Sequence, residues 1–221
     1  MKTVSFKPYR SKGMLLGALA ITILANVAQP LAAEVQKKTF NLHLNPKFGA
    51  CAGVQGGPSP SATVTVVRGS LADTLTITGK NFQPNLGFDL FTIQRSQLLS
   101  NGQIDPNFTN FGQAWYQTDL QSDAYGNLSG QITTILLDQI FGFDPDVSLA
   151  PTQALHVGIW FDDPNTAAPC GFDPKTPTPF NGQHQAGPNA LISVPNATTD
   201  LGPLCTAAIK QGSTYVCNIN Q

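Results

Sequence analysis

At 221 residues, with a formal net charge of −1 and only 11% charged residues, the chain lacks the basic stripe needed to neutralise phosphates. Nucleic-acid binding is therefore excluded as a main role. The charged share lies far below the ~25% usual for globular domains, so Thr, Ser, Asn and Gln must supply the polar surface, as in many secreted β proteins.

The first 33 residues read as a secretory signal peptide. Lys2, Lys7, Arg10 and Lys12 form a basic start and Met14 to Val27 an apolar stretch. Leu31-Ala32-Ala33 then offers the small side chains that suit a signal peptidase. The stretch is too short for a membrane span, so no membrane insertion is expected. The mature chain from Glu34 is expected to be secreted or periplasmic. Setting aside the four signal cations leaves 8 of the 12 Lys+Arg against 13 Asp+Glu, a net charge of 8 − 13 = −5.

Residues 34–60 read as an extended lead-in. Phe40, Leu42 and Leu44 alternate there with polar neighbours as a first edge strand. Gly56-Gly57-Pro58-Ser59-Pro60 breaks the chain before a main domain at 61–194. In that domain Val64 and Val66, then Leu75 and Ile77, alternate with threonines as short strands with one buried face. Strands follow across 88–94, 113–121 and 128–137. Asp123-Ala124-Tyr125-Gly126-Asn127 joins the last two, with Gly126 supplying the positive φ of a tight hairpin. Residues 96–112 and 144–151 read as loops, and 137–141 as the one plausible helical turn. Ala154 to Phe161 is the candidate central strand and Leu191 to Val194 the last. Residues 195–221 read as a loop-like tail. Short strands, Gly/Pro turns and almost no helical period indicate an all-β fold, a β-sandwich with one long Pro/Gly-rich loop.

Cys51, Cys170, Cys205 and Cys217 all fall in the exported part. An even number in an oxidising compartment argues for two disulfides. Of the three pairings, we favour Cys205–Cys217 as a local clip and Cys51–Cys170 as a long-range tie.

The stretch from Leu155 to Leu191 concentrates the candidate chemistry. Along its strand Leu155, Val157, Ile159 and Phe161 point to the core, while His156, Gly158 and Trp160 point the other way. That second face is either a binding platform or a surface covered by the Pro-rich loop folding back, and covering is favoured because Trp is usually buried. Prolines at 164, 169, 174, 177, 179 and 188 exclude a regular helix or inner strand through most of that loop. His156 and His184, with Asp162 or Asp163, offer ligand types for a transition metal. Asp162, Asp163 and Asn165, with Asp173, offer oxygens for calcium, although these residues also serve simply to end a strand and start a turn. No motif demands either cofactor. Trp115, Tyr116 and Trp160 offer flat faces for stacking on sugars, with Trp115 sharing a strand face with Gln117 and Asp119, and Tyr116 with Ala114 and Leu120. No catalytic residue is assigned: there is no G-x-S-x-G elbow, P-loop or dinucleotide fingerprint. Glu34 is the only glutamate, so a glycosidase would need two aspartates, and nothing marks a pair.

Two resemblances bear on fold. TVTVVRGSLADTLTITGKNFQPN resembles the opening of bacterial immunoglobulin-like and IPT/TIG-type domains. AWYQTDLQSDAYGN, LHVGIWFDDP and TPFNGQHQAG, in that order, resemble a family of exported bacterial proteins with an immunoglobulin-like β-sandwich. That resemblance covers residues 62–194 and carries no catalytic role. It implies that Trp115, Tyr116, His156, Trp160, Phe180, Asn181, Gly182, His184 and Gly187 are the positions to test. The preferred expectation is a non-enzymatic binding or surface-interaction protein with a glycan or cell-surface partner, in which Trp115, Tyr116, His156, Trp160, Asn181 and His184 form the site. A metal-dependent site at His156 and His184, and a structural envelope component, are the alternatives.

Overall fold

Threonines alternating with branched aliphatics make strands, and the pairing of those strands fixes the architecture. The computed structural model describes residues 36–134, 136, 153, 155–176, 178 and 186–218. The signal segment, the 137–141 turn and the 144–151 loop lie outside them. Within the described residues run β1 (Lys37–Leu44), β2 (Ser61–Val67), β3 (Asp73–Lys80), β4 (Gly87–Ile93) and β5 (Ala114–Gln121). They are followed by β6 (Leu128–Thr134), β7 (His156–Phe161), β8 (Asn189–Ile192), β9 (Ala208–Gln211) and β10 (Thr214–Cys217).

Eight strands form an antiparallel series, β5-β4-β7-β8-β1-β2-β3-β6. The series divides at β1, where residues 37–42 pair with β2 while His43 and Leu44 pair with β8. The two arms share one core. Val64, Val66, Leu75 and Ile77 from β2 and β3 meet Phe88, Leu90, Val157, Ile159 and Phe161 from β4 and β7. Each fully buried side chain of this size contributes about 1.5–3 kcal/mol, so this layer dominates stability. The protein is an all-β sandwich, as the alternation predicts. The turn between β5 and β6, the two ends of the series, brings the two arms together. Gly126 takes φ 78° in this turn, and Asp123 Oδ1 accepts from the Tyr125 and Asn127 amides at 2.8 Å. Gln117 then bridges the arms, donating to Thr92 at 3.0 Å and accepting from Thr134 at 2.7 Å.

Both disulfides form in the favoured pairing, Cys51–Cys170 and Cys205–Cys217. Three local expectations need correction. β1 is not a simple edge strand, because each half pairs with a different arm. The Pro-rich loop opens with a 3-10 helix at Pro164–Cys170. Pro164 is tolerated in its first turn, where its missing N–H costs nothing, and Asp163 caps it by accepting from the Asn165 amide at 2.8 Å. The tail is a β9–β10 hairpin rather than a loop, clipped at its base where Cys217 pairs with Ala208.

Candidate binding surface

β7 is paired on both sides, by β4 and β8, and all six of its residues are buried. Val157, Ile159 and Phe161 of its aliphatic row enter the shared core as expected, whereas Leu155 packs with Cys205 and Cys217 in a separate cluster. Its other row is not an exposed platform. Trp160 is 1% exposed and stacks edge-on against Phe91 and Phe111, with centroids 5.3 and 5.2 Å away. Ile93, Leu98, Phe111, Ala186 and Ile192 complete this second cluster, with Phe108 packed against it. Among the described residues the cover comes from the segment between β4 and β5, joined by Ala186 of the Pro-rich loop. That segment carries Leu98, Phe108 and Phe111 at intervals that let a polar loop bury an apolar underside. Gln97 pins it by donating to Asn189 Oδ1 at 3.2 Å. Asn189 in turn donates to the Ile159 and Leu191 carbonyls at 3.1 and 3.0 Å, at the irregularity between β7 and β8. Gly158 makes room for the indole: a Cβ there would lie 2.6 Å from Trp160 Cζ3.

His156 is 4% exposed. Its Nδ1 lies 3.0 Å from Ser193 Oγ, which also accepts from the Val157 amide at 3.1 Å. Burial pushes the imidazole down to about 4, against a smaller upward pull from Ser193. His156 is thus neutral at physiological pH and built into the strand. Ser193 is the partner that sequence reasoning missed.

On β5 the aromatic residues do face solvent, with Trp115 50% and Tyr116 41% exposed. Their expected neighbours change because the register with β4 shifts between Leu90 and Phe91. One extra residue on β5 reverses the alternation beyond it. Tyr116, paired with Phe91, therefore reaches Asp119 and not Leu120, its hydroxyl donating to Asp119 Oδ1 at 2.7 Å. Leu120 pairs with Phe88 and enters the shared core. Burial first, then the bond to Asp119, push the Tyr116 phenol up to about 12.

The acidic candidates divide by local role. Asp163 is the helix cap already described. Asp173 closes its own turn, accepting from the Lys175 amide at 3.0 Å. Asp162 follows β7, its carboxyl raised mainly by burial and next by the neighbouring Asp163 and Asp119 charges. Asp89 and Asp119 are direct cross-strand partners, a juxtaposition with no trace in sequence spacing. Among the described residues no group of three His, Cys, Asp or Glu is placed to hold a metal ion. Phe180, Asn181, Gly182 and His184 lie outside the described residues. The structure therefore leaves Trp115 and Tyr116 at the surface, on opposite faces of β5, and places His156 and Trp160 inside.

At the β7 end marked by His156, the 94–110 segment and the 195–200 turn enclose a polar pocket of about 200 Å³. Arg95, Asp105, Asn107, Phe108 and Asp200 line it, together with the His156 ring. A second groove of about 650 Å³ runs past Cys51, Cys170, Pro58, Pro60, Pro84 and Pro169. No protein-family model matches the chain, and no curated protein matches it in sequence. Among the described residues no helix is long and apolar enough to cross a membrane.

Proposed function

We propose that this is an exported, non-enzymatic binding protein, a member of the exported bacterial family it resembles. Its recognition surface lies along β5 and the adjoining 94–113 segment. The observation that carries the reading is the exposure of Trp115 and Tyr116 on an edge strand, one on each face, with Asp119 fixed beside Tyr116. A flat aromatic face takes up the apolar side of a sugar ring, and a positioned carboxylate accepts from its hydroxyls, so the ligand class is a glycan or cell-wall polymer. Trp160 supports the same reading by default, because it is used up in packing. Two disulfides support export, since such bonds persist outside a reducing cytosol.

Binding of the disulfide-bonded protein to an array of glycans and cell-wall polymers tests this. At least one polymer is expected to bind, and Trp115→Ala is expected to weaken it tenfold or more without lowering the melting temperature. Silence across the array removes the glycan reading.

A further inference from the structure

The pocket beside His156 has a composition and a floor that set it apart from the surrounding loops. Its base is a side chain more than nine-tenths buried, whose Nδ1 is occupied by Ser193. The other ring nitrogen, Nε2, has no hydrogen-bond partner among the described residues. Its rim carries one guanidinium, Arg95, against two carboxylates, Asp105 and Asp200. Such a mixture favours neither a phosphate, which the carboxylates repel, nor a divalent cation, which Arg95 repels. About 200 Å³ is below the ~300–1,000 Å³ of sites for drug-sized molecules, so the occupant is no larger than one ring.

The rim is also held in place. Asp200 sits at φ 59°, a left-handed conformation that Asp tolerates better than most residues. Its amide donates to the Asn196 carbonyl at 2.9 Å, and the Asn196 amide closes the turn by donating to the Leu201 carbonyl at 2.9 Å. Asp105 is fixed by accepting from the Asn107 amide at 2.8 Å, and Asn110 accepts from Arg95 at 3.4 Å. The carboxylate of Asp200 makes no hydrogen bond among the described residues, so it is available as an acceptor.

We propose that this pocket binds a single neutral, polyhydroxylated ring, the terminal residue of a glycan. Hydroxyls of such a ring both donate and accept. They match the carboxylate of Asp200, the side-chain amide of Asn107 and Nε2 of His156, while Phe108 borders the ring's apolar side. Because His156 stays neutral well below pH 6, binding is insensitive to pH between 5.5 and 8. The proposal deepens the glycan reading and rests on it, but it uses residues separate from Trp115.

The test is NMR titration of the intact, disulfide-bonded protein with neutral monosaccharides and with the short oligosaccharides selected by the array. Inorganic phosphate and calcium serve as controls. At least one neutral sugar is expected to shift the His156 ring and Asp200 amide signals. Asp200→Asn, which keeps the shape and tolerates φ 59°, is expected to weaken that binding at least fivefold, whereas Trp115→Ala changes the affinity of the isolated monosaccharide less than twofold. The His156 shift in the unmodified protein keeps the test decisive if the variant folds poorly. An oligosaccharide that binds with His156 and Asp200 unmoved overturns the pocket and leaves the glycan reading standing. No binding by any sugar overturns both, and His156 shifts produced by phosphate or calcium instead overturn the ligand class.

Discussion

Protonating His156 should cost the fold stability across a defined pH window. In the unfolded chain the imidazole titrates near 6.5, and in the fold burial lowers this to about 4. Between those values the unfolded state binds a proton that the folded state does not, so stability falls as pH falls from 6.5 toward 4. The difference of about 2.5 units, at 1.36 kcal/mol each, gives a loss of about 3 kcal/mol over the window. Other groups titrate in the same range, so the quantity to measure is the difference between the unmodified protein and His156→Gln. The variant keeps a hydrogen-bonding side chain toward Ser193 without a titrating nitrogen. Urea denaturation at pH 7 and pH 4.5 supplies the four free energies. The unmodified protein should lose about 2–3 kcal/mol more than the variant on acidification. Equal losses, or an NMR titration of His156 with a midpoint near 6.5, would refute a buried neutral imidazole.

Other perturbations follow from the same geometry. Gly158→Ala should destabilise by about 1–3 kcal/mol, since the new methyl displaces the Trp160 indole from a packed site, and thermal melting together with Trp160 near-UV dichroism would register it. Removing Cys51–Cys170, whose residues lie 119 apart, should cost about 5 kcal/mol in the chain-entropy account. Removing Cys205–Cys217, with a separation of 12, should cost about 3 kcal/mol; denaturant titration of the two double Cys→Ala variants ranks them, and the reverse order would count against the account. The Tyr116 phenol, pushed up to about 12, should ionise well above the usual tyrosine range in an ultraviolet pH titration. Asp119→Asn should bring that ionisation to lower pH by removing the carboxylate that opposes it.

The strands were legible because threonine and branched aliphatics alternate with period two wherever one face is buried, as at Val64–Val66 and Leu75–Ile77. Partner choice was not legible. Nothing in the spacing of Phe40, Leu42 and Leu44 says that β1 divides its pairing between β2 and β8, since both arms present equivalent edges. The register shift opposite Leu90 and Phe91 was equally hidden, because a bulge on β5 adds a residue without a sequence marker. It reassigned Asp119 to the Tyr116 face. Trp160 was readable as a residue needing cover, but the share taken by the segment between β4 and β5 was not. Three widely spaced apolar residues, Leu98, Phe108 and Phe111, were the available signal in a segment dominated by Asn and Gly. The tail hairpin escaped notice because β9 is exposed throughout and so shows no alternation, leaving only Gly212 at φ 61° as its mark. Local periodicity reports burial of one face, whereas the candidate pocket is assembled from turns far apart in sequence and depends on long-range contacts.

The reading of function turns on the opposite fates of the two tryptophans. Acrylamide quenching, in the unmodified protein and in Trp115→Phe, measures them directly. The account predicts that Trp115 is readily quenched and becomes shielded when an array-selected glycan is added, while the emission left in Trp115→Phe is blue-shifted and resists quenching. Two equally quenchable tryptophans, or a bound glycan that leaves Trp115 as accessible as before, would contradict it.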